Sequence, residues 1–166
     1  MEKNQLGNMA KAIEIQAPNK VEAKEGYISV FLAGSIEMGK AEEWQKRIIN
    51  ELKGEPILFL NPRRDDWDSS WGQDITDDKF KEQVLWELKS LDFADKIVLN
   101  FDPNTLSPIS LIEFGLHARN SKLIVLCPQG FWKKGNVDVT SELYNIKQVD
   151  TFEELIVELK SLSKTE

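Results

Sequence analysis

A single cysteine, Cys127, and a single histidine, His117, occur among the 166 residues. An internal disulfide is thereby excluded, and so is any metal site built from several His and Cys ligands. No metal and no cofactor is implied. Cys127 closes the apolar run KLIVLC and reads as a buried structural thiol rather than a nucleophile. No run of Lys or Arg offers a stripe that could replace counterions on a phosphate backbone, and 28 acidic against 21 basic residues give a formal charge of −7. A nucleic acid polymer is therefore not an expected partner. A small anion remains compatible with this field, because local arginines and helix N-termini bind anions at short range. No apolar window approaches the roughly 20 residues of a membrane span, and the first residues form no apolar segment, so the expected setting is cytoplasmic with no membrane partner. The chain is too short for two well-filled cores. One domain is expected over residues 27–166, preceded at 1–26 by a tail that carries a candidate edge strand.

What is present alternates between buried strands and amphipathic helices. Residues 1 to about 10 are polar and patternless; Ala12 to Ile15 alternate weakly as a short edge strand before a turn at Pro18-Asn19. YISVFLAGS is continuously apolar and stops at Gly34-Ser35, as a buried strand feeding a tight turn should. Ala41, Trp44, Ile48, Ile49 and Leu52 recur at helical spacing, with Gly54 as a stop. PILFL is a second buried strand ending in Asn61-Pro62-Arg63-Arg64, and a Trp- and Asp-rich loop follows to about Thr76. A helix from about Asp77 to Leu91 is expected to bury Phe80, Val84, Leu88 and Leu91; ADKIVLNF is a third strand. Ser107-Pro108 opens a helix to about Arg119, KLIVLC is a fourth strand, and Thr151 with Glu154 forms a capping box for a last helix to about Leu162. This alternation predicts a flavodoxin-like (Rossmann-like) α/β fold, a mostly parallel sheet with helices on both faces and right-handed crossovers. Ligands of such sheets sit beyond the carboxyl ends of the strands. The residues there, Gly34-Ser35, Asn61 to Arg64, and Asn100, Asp102 and Asn104, are unusually polar and outline one crevice.

Two carboxylates are candidates for chemistry. Glu113 stands about one and a half turns into its helix within ISLIEFGL, where Leu111, Ile112, Phe114 and Leu116 argue that it points inward despite the cost of burying a charge. Gly115 beside it suggests that another backbone or a ligand approaches the helix closely. Glu87 lies in the preceding helix next to Trp86. Paired acids suit glycosidic chemistry, one meeting the developing oxocarbenium charge and the other protonating the departing atom. Arg63 and Arg64 have two readings, guanidinium forks for a phosphate or base edge, or partners of the following Asp65, Asp66 and Asp68. Trp67 and Trp71 either stack on a base or pack down as a lid. His117, one turn beyond Glu113, reads as a packed or surface histidine.

FLAGSI, NPRR, WELKSLDFADKIVLNF, SPISLIEFG and CPQGFWKKGNVDV, in this order, resemble the nucleoside 2-deoxyribosyltransferase-like proteins over roughly residues 28–160. The resemblance implies an enzyme that cleaves or exchanges an N-glycosidic bond, as a deoxyribosyltransferase through a covalent glycosyl-enzyme or as a hydrolase of nucleoside monophosphates. Glu113, in the Glu-x-Gly motif, would be the nucleophile, and Glu87 would stand where the family places an Asp that helps protonate the base. Gly34 and Ser35 would lie against sugar and base. With Asn61, Arg63, Arg64, Asp102, Ser107, Ser110 and Asn136 they form the expected substrate-binding set. Ser107 replaces the Asp that holds the 5′ hydroxyl in the transferases; the monophosphate hydrolases also have Ser there, and a hydroxyl at a helix N-terminus suits a phosphate. The loop around Asn136 and Asp138 resembles the segment that a neighbouring subunit contributes, which implies a homo-oligomer with shared sites. The rival reading is a non-catalytic module that senses or sequesters a nucleotide in the same crevice.

Overall fold

The computed structural model describes residues 10–36, 43–68 and 70–164. They form a six-stranded, wholly parallel sheet with five helices, in the order β1 (Ile13–Gln16), β2 (Ile28–Gly34), α1 (Trp44–Glu51), β3 (Ile57–Asn61), α2 (Asp78–Phe93), β4 (Lys96–Asn100), α3 (Pro108–His117), β5 (Leu123–Leu126), α4 (Lys134–Leu143), β6 (Lys147–Val149) and α5 (Phe152–Leu162). Strand order across the sheet is β1-β3-β2-β4-β5-β6. The five strands from β2 onward have the flavodoxin-like order, and β1 adds an edge beside β3. Among the described residues no helix is long and apolar enough to cross a membrane.

Period-two side-chain alternation divides each strand between two cores. Val30, Leu32, Phe59, Val98, Ile124 and Leu126 face Trp44, Ile48 and Leu52 around α1 and Leu155, Ile156 and Leu159 of α5. Phe31, Leu58, Leu60, Ile97, Leu99 and Val125 face Leu91 of α2, Phe114 of α3 and Val137 of α4. Helices thus cover both faces, α1 and α5 on one and α2, α3 and α4 on the other. Asp77 caps α2 by accepting from the Phe80 N–H at 3.0 Å. Thr151 caps α5 as the capping box requires, but the Glu154 carboxylate reaches back to the Asp150 N–H at 2.7 Å rather than to Thr151 itself.

The sequence reading differs from the structure in four places. The segment around Asn136 and Asp138, expected as a loop, is α4, and the three-residue β6 follows it. Gly135 with the β-branched Val137, Val139 and Thr140 weakens the helical signal, and three residues show no period. Leu88, expected inside, is exposed, while Gln83 and Ser90 are buried on α2. Ile112 and Leu116 point outward at 57% and 58% exposure, and the buried face of α3 is Ser110, Glu113, Phe114 and His117. A Cβ on Gly115 would meet nothing within 4 Å, so no close approach inside the chain explains that glycine. The expected tail at residues 1–9, and Ala41 of the first helix, lie outside the described residues.

Gly34 is the one glycine the sheet cannot replace. It ends β2 opposite Asn100 of β4, with φ +138°, and a Cβ there would lie 2.3 Å from the Asn100 carbonyl oxygen. Gly34→Ala is therefore expected to lose roughly 3 kcal/mol or more, from the strained backbone and the clash together. Gly54→Ala, where the Cβ meets nothing, should stay within about 1 kcal/mol of wild type. Urea midpoints at constant slope measure both, and equal losses would contradict the close approach.

Candidate active site

Strand order reverses between β2 and β4, and their carboxyl ends frame a polar floor. The Ser35 N–H donates to the Asn100 carbonyl at 2.9 Å, while the Trp44 indole donates to the Ser35 carbonyl at 3.0 Å, so α1 pins the turn from behind. The hydroxyls of Ser35, Thr105 and Ser107 form a buried triangle with sides of 2.6, 2.9 and 2.7 Å. The Asp102 N–H adds a bond to Ser35 Oγ at 2.8 Å. Ser107, at φ 48°, is left-handed and N-caps α3 without lending its hydroxyl to the helix. That hydroxyl faces Ser35 and Thr105, not the open helix N-terminus that the sequence suggested.

On this floor α3 sets Glu113 and α2 sets Glu87. Glu113 is only 7% exposed, on the same inward face as Ser110. Removal from water and the neighbouring Glu87 charge push the Glu113 carboxyl up to about 8. Glu87 is also raised by burial, and a hydrogen bond donated by Gln83 at 2.8 Å partly counters the rise. Both carboxyls therefore hold a proton more tightly than in water, and they titrate as a coupled pair. Two coupled carboxyls, one protonated and one ionised, can exchange roles as a ligand alters the field between them.

The second wall follows β3. Asn61 is buried, donating to Glu14 Oε1 at 3.0 Å and accepting from the Arg63 N–H at 3.0 Å, so its side chain shapes the NPRR turn. Arg64 makes a bidentate pair with Asp66, both bonds 2.9 Å, and lies over the Trp71 ring. Of its two sequence readings the structure shows the acidic partner. Arg63 approaches Gln45 Oε1 at 3.4 Å. Trp67 and Trp71 stack edge to face with centroids 4.9 Å apart. Asp102 is half-buried at the rim and accepts from the Asn104 N–H. Asn136 sits exposed in the first turn of α4, and Asp138 holds Lys134 and Gln148, so this segment does not enter the chain's own crevice.

The family model described as nucleoside 2-deoxyribosyltransferase like matches residues 27–131. The chain belongs to this family. A crystal structure of a conserved protein from Enterococcus faecalis V583 superposes with a TM-score of 0.59 at 14% identity, covering 81% of this chain and 98% of that one, which shows the shared fold. No curated protein matches the sequence significantly. The matched segment runs from the start of β2 to Phe131 and so contains both carboxylates, the NPRR turn and the hydroxyl triangle.

Several participants escaped the sequence reading. Gln83 lies four residues before Glu87, a spacing that places both on one helix face and could have flagged it. Trp44 and Thr105 gave no sign beyond their types. His117 is packed, with Nδ1 2.5 Å from the Asn120 amide and its basicity lowered by burial and by Lys122. Burial raises the Cys127 thiol to about 11, as befits a structural cysteine. Among the described residues no three His, Cys, Asp or Glu side chains are grouped to hold a metal ion. A cavity of about 140 Å³ opens instead at the amino ends of β4, β5 and β6, lined by Lys96, Leu123 and Lys147, at the opposite edge of the sheet from this site.

The raised Glu113 carboxyl makes stability depend on pH. Unfolded, the group ionises near its ordinary 4.5; folded, it keeps its proton to about 8. Between these values the native state binds more protons than the unfolded state, so stability falls as pH rises through the window and levels above it. Glu113→Gln removes the titration. Relative to wild type it should gain on the order of 1 kcal/mol for each pH unit crossed. Urea denaturation at pH 5, 6.5 and 8 measures this, and a gap that does not widen with pH would contradict the buried carboxyl.

Proposed function

We propose that the protein is an enzyme that breaks the N-glycosidic bond of a nucleoside or nucleoside 5′-monophosphate by a retaining, two-step displacement at Glu113. The observation that carries this reading is a buried carboxyl, Glu113, beside a half-buried one, Glu87, whose charge acts on it, at the carboxyl-end crevice of a chain in this family. Glu113, ionised as the sugar binds, attacks the anomeric carbon; Glu87 delivers a proton to the departing base. The glycosyl ester is resolved by water in a hydrolase or by a second base in a transferase. Gly34, Ser35 and Asp102 form the turn under the sugar, and Ser110 lines the same face as Glu113. An anion at the 5′ end would be received by the first-turn N–H groups of α3 and by Arg63 at the NPRR turn, with the Ser107 hydroxyl acting through the triangle that shapes this end.

Incubating the protein with deoxynucleosides, ribonucleosides and their monophosphates, with and without an added base, and following free base by chromatography tests the reading. Base release from at least one substrate is expected. Release that depends on the added base identifies a transferase. Absence of release and of exchange, with nucleotide binding detected by calorimetry, would replace the enzyme with a sensing module. Glu113→Gln should abolish turnover in a folded protein, and Glu87→Gln should slow it by about 10²–10⁴-fold. A folded Glu113→Gln variant near the wild-type rate would overturn the displacement.

The reading extends to assembly with a second copy of the chain. Ile109, Ile112 and Leu116 form an outward apolar stripe on α3 at 57–58% exposure, bordered by Leu106 and Trp132. Trp132 donates its indole N–H to the Leu106 carbonyl at 2.9 Å, so the edge of the patch is held in place. The stripe lies on the back of the helix that bears Glu113, so pairing through it would tie site geometry to assembly. Light scattering should show an oligomer that Ile112→Lys with Leu116→Lys dissociates. A monomeric wild type at working concentration would remove the idea.

A further inference from the structure

An acid that protonates a leaving base must present its proton from one defined oxygen, and Glu87 has two. Gln83, buried one turn earlier on α2, distinguishes them. Its Nε2 donates to Glu87 Oε1 at 2.8 Å and to the Pro62 carbonyl at 2.9 Å. Its Oε1 accepts from Arg64 Nη1 at 3.4 Å, and Asp66 holds that guanidinium by two bonds of 2.9 Å. Turning the amide over would set its oxygen against the Pro62 carbonyl and Glu87, and its NH₂ against the guanidinium. All three contacts would then be repulsive, so one amide orientation is fixed.

We propose that Gln83 is a positioning residue that reserves Glu87 Oε1 as a hydrogen-bond acceptor, so that the proton passed to the departing base is carried on Oε2. The proposal rests on the reading of Glu87 as the acid. In that step the bond from the anomeric carbon to the base nitrogen breaks with its electron pair staying on the base. An oxygen of ionised Glu113 forms the new bond to carbon, and the Oε2 proton moves to the base, leaving Glu87 as the anion. Water or a second base attacking the ester then gives its proton back to Glu87. Among the described residues the charges that bear on Glu87 are Glu113 from α3 and, through Gln83, Arg64 with Asp66 from the turn after β3. Tying the amide to the Pro62 backbone links this acid to the NPRR turn, a connection between the two walls of the crevice.

The test pairs two substrates with the same sugar. One carries adenine, which needs protonation to leave; the other carries a cationic N7-methylated purine, which leaves as a neutral base unaided. Gln83→Met should reduce kcat for the first by roughly 10- to 100-fold with KM little changed, and the second by no more than about threefold. Equal losses on both substrates would show a merely structural role and overturn the proposal, as would no loss on either. A second measurement needs neither a variant nor turnover. In wild-type protein the Gln83 side-chain amide resonances should shift with the titration of the ¹³C-labelled Glu87 carboxyl. Amide resonances that stay fixed through that titration would overturn the Gln83 assignment even in an active enzyme. If they move but no substrate is cleaved, the failure belongs to the proposed reaction and not to the hydrogen bond.

Discussion

A buried carboxyl, Glu113, beside a half-buried one, Glu87, sets the conditions that the rest of the crevice meets. Burying even one unpaired charge is expensive, and burying two of like sign couples their titrations, so the surroundings must hold a proton and allow no slack. Among the described residues no cation is ion-paired with Glu113 or Glu87. Gln83 supplies a neutral donor instead, and the guanidinium bonded to Gln83, that of Arg64, is already paired with Asp66. A direct Arg-carboxylate pair would pull Glu87 down to a permanent anion and end its use as an acid. Keeping Arg64 one residue away preserves a pair that can hold one proton between its members. On the other side the hydroxyl triangle of Ser35, Thr105 and Ser107, tied to the Asp102 backbone, fixes the start of α3 without adding a charge.

Much of this was legible in the sequence wherever one physical demand acted alone. The buried strands, the capping residue Thr151, the turn at Gly34-Ser35 and the inward carboxylate at Glu113 each follow from apolar continuity, cap chemistry or burial cost. The reading failed where two demands competed. On α2 and α3 apolar periodicity pointed Leu88, Ile112 and Leu116 inward, yet the faces that meet the site are polar and these side chains lie outside. Gln83 and Thr105 were invisible because a Gln or Thr in sequence is ordinarily a surface residue; only the fold shows that their partners are a carboxylate, a backbone carbonyl and two hydroxyls. Helix α4 was missed for a local reason, since its β-branched and glycine residues hide a segment that tertiary packing through Val137 makes helical.

The inverted character of α3 joins chemistry to surface. A ten-residue helix with Ser110, Glu113 and His117 beneath it has few positions left for apolar contact with the sheet, and Phe114 is its main buried anchor. Its apolar residues are then displaced to the outer side, where they gain nothing in an isolated chain. A stripe of this kind is stabilising only when covered. The same logic applies more weakly to Leu85 and Leu88 on the neighbouring α2, which border the same side of the sheet.

Stability and chemistry are accordingly divided between the two faces of one sheet. The α1 and α5 face buries Trp44, Ile48, Leu52, Leu155, Ile156 and Leu159 against the strands in an ordinary apolar core, and the buried Gln45 of α1 reaches toward Arg63 and the NPRR turn. The α2 and α3 face gives up apolar contact to seat carboxyls, amides and hydroxyls. Substitutions of similar volume on the first face should be felt as stability alone, because the sheet transmits little to the carboxyls except through Trp44 and its bond to Ser35. Trp44 is therefore the point where the two halves of the molecule meet. It buries its ring in the stabilising core while its indole N–H fixes the turn on which Ser35, the hydroxyl triangle and the start of α3 are built.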